Sequence, residues 1–192
     1  MKVLAINASA RADGNTAILL RHVTDELEKE GIATEIVQLG GKKINGCIAC
    51  YNCFKAKNGR CAVNDDFANE CIGKMRDADA IILGSPTYFA DCTAAMKALI
   101  ERAGFVARAN GDMFKLKVGA AVVSVRRAGA IHAFDSINHF FTITQMIIVG
   151  SSYWNIGIGR EKGEVEKDEE GLSTMGTLGK NIAWVMKKLN QN

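Results

Sequence analysis

The chain has 192 residues, 48% of them hydrophobic, and a formal net charge of +3. This length and apolar fraction are enough for one packed domain, which we expect to span residues 1–192. The charge is small and forms no dense basic stripe, which argues against nucleic acid as a partner. No apolar stretch is long enough for a signal peptide or a membrane span, so we expect a cytoplasmic protein with no membrane attachment.

Short apolar runs alternate with stretches of helical spacing along the chain. Such runs predict buried strands, and the helical stretches predict amphipathic helices, the first of which ends at Gly31 as at a C-cap. The predicted strands cover residues 3–6, 34–38, 80–83, 118–125 and 146–149. The predicted helices cover residues 16–30, 67–75, 93–102, 131–145 and 171–189.

Strands that alternate with helices imply an α/β fold with a parallel sheet covered by helices on both faces. We prefer a doubly wound, five-stranded sheet in the flavodoxin-like order 2-1-3-4-5, with a Cys-rich loop, 46–64, inserted after strand 2. Ligands of such sheets bind at the carboxyl ends of the strands. The loops after strands 1, 3 and 4 are therefore expected to carry the function.

The loop after the first predicted strand is polar and opens directly onto a helix. A helix N-terminus offers free N–H groups to a phosphate, and Ser9, Asn15 and Thr16 can add donors while Arg11 adds charge. The loop lacks both the Gly-x-Gly-x-x-Gly pattern and the Walker lysine, which favours a monophosphate over a dinucleotide or triphosphate. From the residues alone, an ordinary connection in which Asn15 or Thr16 is a plain N-cap is an equal alternative.

The loop after the third predicted strand places two aromatic residues side by side, Tyr88 and Phe89. Pro86 ends the strand and biases the residue before it towards an extended conformation. The aromatic rings could cover a flat ligand ring, and the backbone N–H groups could bond its polar edge. The alternative is that both side chains simply cover the core.

The pattern Ser9-x-Arg11-x-x-Gly14-Asn15-Thr16 resembles the FMN phosphate loop of the NAD(P)H-dependent FMN reductase family. The run from Ser85 to Asp91, Ser-Pro-Thr-Tyr-Phe-Ala-Asp, is similar to the flavin-ring loop of the same family. The resemblance implies FMN as cofactor and NAD(P)H as electron donor. It assigns cofactor binding to Ser9, Arg11, Asn15, Thr16, Ala17, Pro86, Thr87, Tyr88 and Phe89.

The loop after the fourth predicted strand flanks the flavin in proteins of this fold. We therefore predict cofactor binding by Ser124, Arg126, Arg127 and Gly129. The paired arginines could hold the negative charge of reduced flavin or the phosphates of NAD(P)H, although a solvated surface pair is equally consistent. Aromatic residues in the loop 150–160 suggest a subunit contact or a lid, and the family resemblance suggests a homodimer or homotetramer.

Four cysteines fall in one compact run, Cys47-x2-Cys50-x2-Cys53-x7-Cys61. Clustered thiols in a reducing compartment indicate metal or redox chemistry rather than disulfides. Four thiolates suit a [4Fe–4S] cluster or tetrahedral zinc. The spacing resembles the compact motif of the iron–sulfur flavoproteins, which implies a cluster that exchanges electrons with FMN. Zinc, or reduced thiols without metal, remain the alternatives.

The resemblance implies an oxidoreductase in which the flavin carries the chemistry, so we predict no catalytic side chain. Neither a Cys-His pair nor a Ser-His-Asp triad is recognisable around the three histidines. One hypothesis is an NAD(P)H-dependent reductase of flavin, a quinone or a similar small acceptor. Another is an electron carrier fed by a ferredoxin-type redox protein, without NAD(P)H activity. A zinc-stabilised binding module is a third.

Overall fold

A computed structural model describes residues 1–190, and residues 191–192 of the predicted domain lie outside the described residues. Six strands form one sheet. They are β1 (Lys2–Asn7), β2 (Ala33–Gln38), β3 (Ala80–Pro86), β4 (Val118–Val125), β5 (Ile147–Ile148) and β6 (Ile156–Ile158).

Residues 1–190 also form six α-helices and one 3-10 turn. The helices are α1 (Asn15–Lys29), α2 (Asn52–Ala56), α3 (Ala68–Asp77), α4 (Ala94–Ala109), α5 (Ala130–Ile143) and α6 (Glu169–Leu189), with the 3-10 turn at Glu164–Lys167. Within residues 1–190, every helix is too short or too polar to cross a bilayer.

The sheet is parallel and has the order β2-β1-β3-β4-β5, which confirms the predicted flavodoxin-like topology. The sixth strand adds to the prediction. β5 pairs with the start of β4 through Val118 and Ile147, whereas β6 pairs with its end through Val123 and Ile156. Two short strands in succession therefore fill the outer edge of the sheet beside β4.

Helices bury both faces of the sheet, and β1 shows how its sequence allows this. Successive side chains of a strand point to opposite faces. Leu4 and Ile6 pack in the core formed with α3, α4 and α5, while Val3 and Ala5 pack in the core formed with α1 and α6. A strand covered on both sides has to be apolar at every position, as this run is.

Several predicted boundaries differ from the structure, and one helix was not expected. The strand expected over 146–149 is reduced to Ile147–Ile148, and the helix expected over 93–102 continues to Ala109. The helix Asn52–Ala56 lies inside the cysteine loop, where no helix was expected. Short elements such as this one depend on tertiary contacts, which local sequence pattern does not report.

Candidate functional site

A cavity of about 190 Å³ opens where β1, β3 and β4 end, at the carboxyl edge of the sheet. Loops that are far apart in the sequence meet there because parallel strands bring their carboxyl ends to the same edge. The lining residues are Ser9, Arg11, Asn15, Thr16, Pro86, Thr87, Tyr88, Ser124, Val125, Arg126, Gly159 and Arg160. Nine of the thirteen predicted cofactor residues are therefore brought together.

The N-terminus of α1 is left without a side-chain cap. Its N-cap residue is Gly14, which has no side chain to offer, and no side-chain oxygen accepts from the first turn. Amides of the first turn have no intrahelical acceptor, so their N–H groups remain available to an anion. Ala17 is buried and lies in this turn, where only its backbone N–H can contribute.

The Asn15 side chain is already occupied by protein groups. Its Nδ2 donates to the carbonyl of Glu161 at 3.0 Å, and its Oδ1 accepts from the N–H of Gly163 at 2.9 Å. These bonds tie the start of α1 to the loop that follows β6. Asn15 is therefore not a plain N-cap: it positions the loop that brings Gly159 and Arg160 to the cavity, and its Nδ2 has a second proton that can be offered to a phosphate.

The loop after β1 is held by two polar residues that the sequence analysis missed. Asn7 is buried. Its Oδ1 accepts from the N–H of Ser9 at 3.0 Å, and its Nδ2 donates to Gln38 Oε1 at 2.8 Å. Gln38 also donates to the Ser9 carbonyl at 2.7 Å. The Ser9 hydroxyl accepts from the N–H of Arg11 at 3.2 Å. This network fixes the loop before any ligand binds, which lowers the entropic cost of binding.

A direct contact joins two of the predicted binding loops. The hydroxyls of Thr16 and Ser124 are 2.8 Å apart and both residues are buried. One hydroxyl donates to the other, and each keeps lone pairs or a proton for a further partner. The contact sets the distance between the start of α1 and the end of β4.

The loop after β3 contains a buried polar atom without a partner. Thr87 Oγ1 has no hydrogen bond among residues 1–190, and Thr87 lines the cavity. Burying an unpaired hydroxyl costs about 1–3 kcal/mol, which a polar ligand would offset. Phe89 and Ala90 have left-handed backbones, with φ of 48° and 65°. Strain of this kind clusters at ligand sites.

Three predicted cofactor residues other than Ala17 do not line the cavity. Phe89 is fully exposed at the tip of its loop, and Arg127 is also exposed. Gly129 has φ +86°, and a Cβ there would lie 3.1 Å from Ala90 Cα, so the glycine allows close packing against the loop after β3. Gly159 and Arg160 line the cavity instead, and no local motif marked them.

The four clustered cysteines line a second, smaller cavity of about 20 Å³. Cys53 is buried, Cys47 and Cys61 are half-buried, and Cys50 is exposed. Burial raises the pKa of the Cys53 thiol. Within residues 1–190, no three His, Cys, Asp or Glu side chains are close enough together to form a ready metal site. The four thiols thus share one cavity but do not converge on one point.

The backbone of this loop is strained at residues other than glycine. Ala49, Tyr51 and Lys57 have φ values of 51°, 55° and 45°. Each non-glycine residue in the left-handed region costs about 1 kcal/mol or more and persists only when its surroundings enforce it. Ala49 and Tyr51 flank Cys50 and so turn the chain between successive cysteines.

Helices α3 and α4 anchor the cysteine loop. Asn69 accepts from the N–H of Cys61 at 2.8 Å and donates to its carbonyl at 2.9 Å. Glu101 accepts from the N–H of Cys47 at 3.2 Å, and Arg102 donates to Cys61 Sγ at 3.3 Å. No local motif marks these three residues, because they contact the loop only in the folded chain.

Residues 1–161 match the family model described as NADPH-dependent FMN reductase. The chain belongs to this family. The FMN reductase family implies FMN as the cofactor, and the cavity at the end of the sheet fits it: it combines an uncapped helix, three arginines and an unpaired buried hydroxyl.

A curated relative supports the family assignment, and solved structures share the fold. The chain is 37% identical to an iron-sulfur flavoprotein of Methanocaldococcus jannaschii, with all of both chains covered. Its fold matches that of RosB, solved with 8-demethyl-8-formylriboflavin-5'-phosphate, with a TM-score of 0.75 at 19% identity, over 100% of this chain and 81% of that one. The fold also matches that of a WrbA-like flavodoxin of Agrobacterium tumefaciens, with a TM-score of 0.67 at 13% identity, over 97% of this chain and 98% of that one. The last two likenesses concern the fold alone.

Proposed function

We propose that this protein is an FMN-dependent oxidoreductase that takes electrons from NAD(P)H and reduces a flavin, a quinone or a similar small acceptor. We further propose that Cys47, Cys50, Cys53 and Cys61 hold a [4Fe–4S] cluster that relays electrons. The cavity formed by the loops after β1, β3 and β4 is the observation that carries the proposal. All three loops lie within residues 1–161, the part of the chain that matches the family model.

The phosphate of FMN belongs at the N-terminus of α1. The uncapped amides of the first turn, the hydroxyls of Ser9 and Thr16, and the Arg11 side chain surround this end of the cavity. A dianionic phosphate gains from the helix dipole and from charge-assisted hydrogen bonds, which are roughly twice as strong as neutral ones. Arg160, from the loop after β6, adds a second cation.

The flavin ring belongs against the loop after β3. Thr87 Oγ1 supplies an unpaired polar atom, and Tyr88 and Pro86 supply apolar wall. Arg126 lies beside them and can offset negative charge on a reduced ring. When bound, FMN supplies two-electron acceptance as hydride and one-electron release. The protein's own residues hold the phosphate and orient the ring.

The chemistry of the four cysteine side chains supports the proposal of a [4Fe–4S] cluster. Four thiolates on a compact loop are the usual ligands of a [4Fe–4S] cluster. All four of these thiols line one cavity, so the donor set that such a cluster needs is present at one place in the fold. The relatives named iron-sulfur flavoprotein support the same choice over zinc.

Anaerobic turnover with NADPH and a quinone tests the reductase proposal. We expect bleaching of the FMN absorption on mixing with NADPH and steady NADPH oxidation when the quinone is added. A parallel sample with Thr87→Val keeps the shape of the side chain and removes the unpaired hydroxyl. It should have a weaker FMN affinity without losing the fold. An FMN-loaded protein that does not oxidise NADH or NADPH would contradict the proposal.

The second candidate is an electron carrier linked to a ferredoxin-type protein, without NAD(P)H activity. The full-length similarity to proteins named iron-sulfur flavoprotein favours it. Rapid reduction of the FMN by reduced ferredoxin, together with no NADPH oxidation, would establish this candidate in place of the first. The two candidates share the same FMN cavity and the same cysteine loop.

A further inference from the structure

Arg102 is the largest fully buried side chain among the described residues. It lies on α4 and points into the cysteine loop, where it lines the same cavity as the four cysteines. A buried cation is costly unless its charge and all its N–H groups are compensated. The position of this arginine therefore requires an explanation from its partners.

Four acceptors surround the guanidinium, and all four belong to the segment between β2 and α3. Nη1 donates to Asp66 Oδ2 at 2.5 Å and to the Asn45 carbonyl at 3.3 Å. Nη2 donates to the Val63 carbonyl at 2.5 Å, and Nε donates to Cys61 Sγ at 3.3 Å. The Arg102 and Asp66 side chains are both completely buried.

The bond to sulfur is the informative one. Asp66 and the two carbonyls already fix the arginine within the loop, whereas a neutral thiol is only a weak acceptor. A thiolate is a far better partner for a buried cation, because the bond is then charge-assisted. The bond therefore ties the buried cation to the sulfur of one of the four proposed cluster ligands.

Resting on the proposed function, we infer that Arg102 is a positioning residue for the [4Fe–4S] cluster, and that with Asp66 it sets the cluster's reduction potential. Its Nε holds the Cys61 sulfur, and its charge lies beside a group that becomes more negative by one electron on reduction. Hydrogen bonds to cluster sulfurs and nearby positive charge both favour the reduced form. Asp66 opposes this effect, because its carboxylate offsets part of the arginine's charge.

The two members of the pair should therefore act in opposite directions. Arg102→Met removes the cation and the donor to sulfur, which should lower the reduction potential. Asp66→Asn leaves the cation uncompensated, which should raise it. Arg102→Lys keeps the charge but not the planar fork, so its potential should lie between those of the wild type and Arg102→Met. A residue that only held the loop together would not produce shifts of opposite sign.

The test is an EPR-monitored redox titration with dithionite on anaerobically reconstituted full-length protein, together with iron and sulfide counts. The matched control is Arg108→Met, which removes an exposed arginine from the same helix. Solvent and salt largely screen an exposed charge, so the reduction potential of this control should not move. We expect a lower potential for Arg102→Met, a higher one for Asp66→Asn, and none of these changes in the control.

The outcomes separate this inference from the proposed function. A wild type that takes up no iron overturns the proposed cluster and this inference with it. Loaded variants with unshifted potentials, or with shifts of the same sign, leave the cluster standing and overturn the inference alone. If neither Arg102→Met nor Arg102→Lys takes up iron, the reduction potential of Asp66→Asn decides whether the inference stands. If all three variants fold but fail to load, Arg102 is only structural and the inference is wrong.

Discussion

At the scale of single residues, two hydroxyls connect the start of α1 with the loops around it. Ser9 Oγ accepts from the backbone N–H of Arg11, and the hydroxyls of Thr16 and Ser124 are hydrogen-bonded to each other. In Thr16 the hydroxyl lies at the second position of a helix whose first turn has no cap. Both groups are therefore held in place near the expected phosphate.

The double variant Ser9→Ala with Thr16→Ala should weaken FMN binding by about two to four orders of magnitude, since each hydrogen bond to a charged group contributes about 1.5–3 kcal/mol. Quenching of FMN fluorescence on titration of the metal-free protein measures the affinity. The control is Thr24→Ala, which removes a buried hydroxyl from the same helix at a position that bonds only the Arg21 carbonyl. Unchanged FMN affinity in the double variant would refute the phosphate assignment.

A glycine outside the cavity is expected to matter for the same loop. A Cβ at Gly40 would overlap the carbonyl group of Ser9. Gly40→Ala should therefore displace the loop after β1 and weaken FMN binding by about tenfold or more, although Gly40 does not line the cavity. Gly73→Ala is the control, because a Cβ there meets nothing within 4 Å. Equal FMN affinities for the two variants would contradict this expectation.

The two cysteines outside the loop should be chemically inert. Burial raises the pKa of Cys71 to about 12 and that of Cys92 to about 11. A raised pKa keeps a thiol protonated, and the protonated form is not the nucleophile, so both should stay unreactive at pH 8 and gain reactivity only near their raised pKa values. Iodoacetamide with mass spectrometry on native, metal-free protein should label exposed Cys50 and spare these two. Comparable labelling at all three would count against their burial.

At the scale of elements, the long periodic segments were predictable and the short ones were not. β1 is apolar at consecutive positions because helices cover both faces of the sheet, and this pattern is visible in the sequence. β6 has only three residues and exists because Val123 to Val125 offer it a partner. The helix Asn52–Ala56 is similarly short and packs against α4. Neither has a periodicity long enough to detect.

The packing of α1 on α6 yields a matched pair of variants. A Cβ at Gly179 would lie 2.7 Å from the Val23 carbonyl oxygen, whereas one at Gly176 meets nothing within 4 Å. Both glycines lie inside α6. Gly176→Ala should stabilise the protein by about 0.5–1 kcal/mol, and Gly179→Ala should destabilise it by about 1–3 kcal/mol. Urea unfolding measures both, and equal effects would mean that the two helices do not approach closely.

At the scale of the whole molecule, the site was predictable where the topology brings motifs together. The loops after β1, β3 and β4 were recognised in the sequence, and the order of a parallel sheet places them at one edge. Arg160 could not be predicted, because it reaches the cavity through β6 and through the contact of Asn15 with Glu161 and Gly163. Arg102 was missed for a similar reason, since it meets Cys61 only in the folded chain.

The two sites should be separable by mutation. Cys47→Ser with Cys50→Ser should abolish iron binding and leave FMN content unchanged, because neither residue lines the FMN cavity. Cys71→Ala is the control, since it removes a thiol that lies outside the cysteine cavity, and it should retain iron. Iron and flavin counts on the three proteins provide the comparison. Loss of FMN in the double variant would show that the two sites depend on each other.

Subunit contacts are also expected at this scale. Tyr153 and Trp154 stack edge to face, with ring centroids 4.7 Å apart, yet each is more than half exposed. Exposed aromatic pairs of this kind are enriched at interfaces. We expect a homodimer or homotetramer by light scattering, and Tyr153→Ser with Trp154→Ser should shift it towards the monomer. A monomeric wild type would contradict this expectation.

The central claim is that one chain binds both FMN and an iron–sulfur cluster. Anaerobic purification, followed by an absorption spectrum and counts of flavin, iron, sulfide and zinc, tests it most directly. We predict a coloured protein with about one FMN and about four iron and four sulfide atoms per chain. A colourless protein that contains zinc, or no metal and no flavin, would contradict the account.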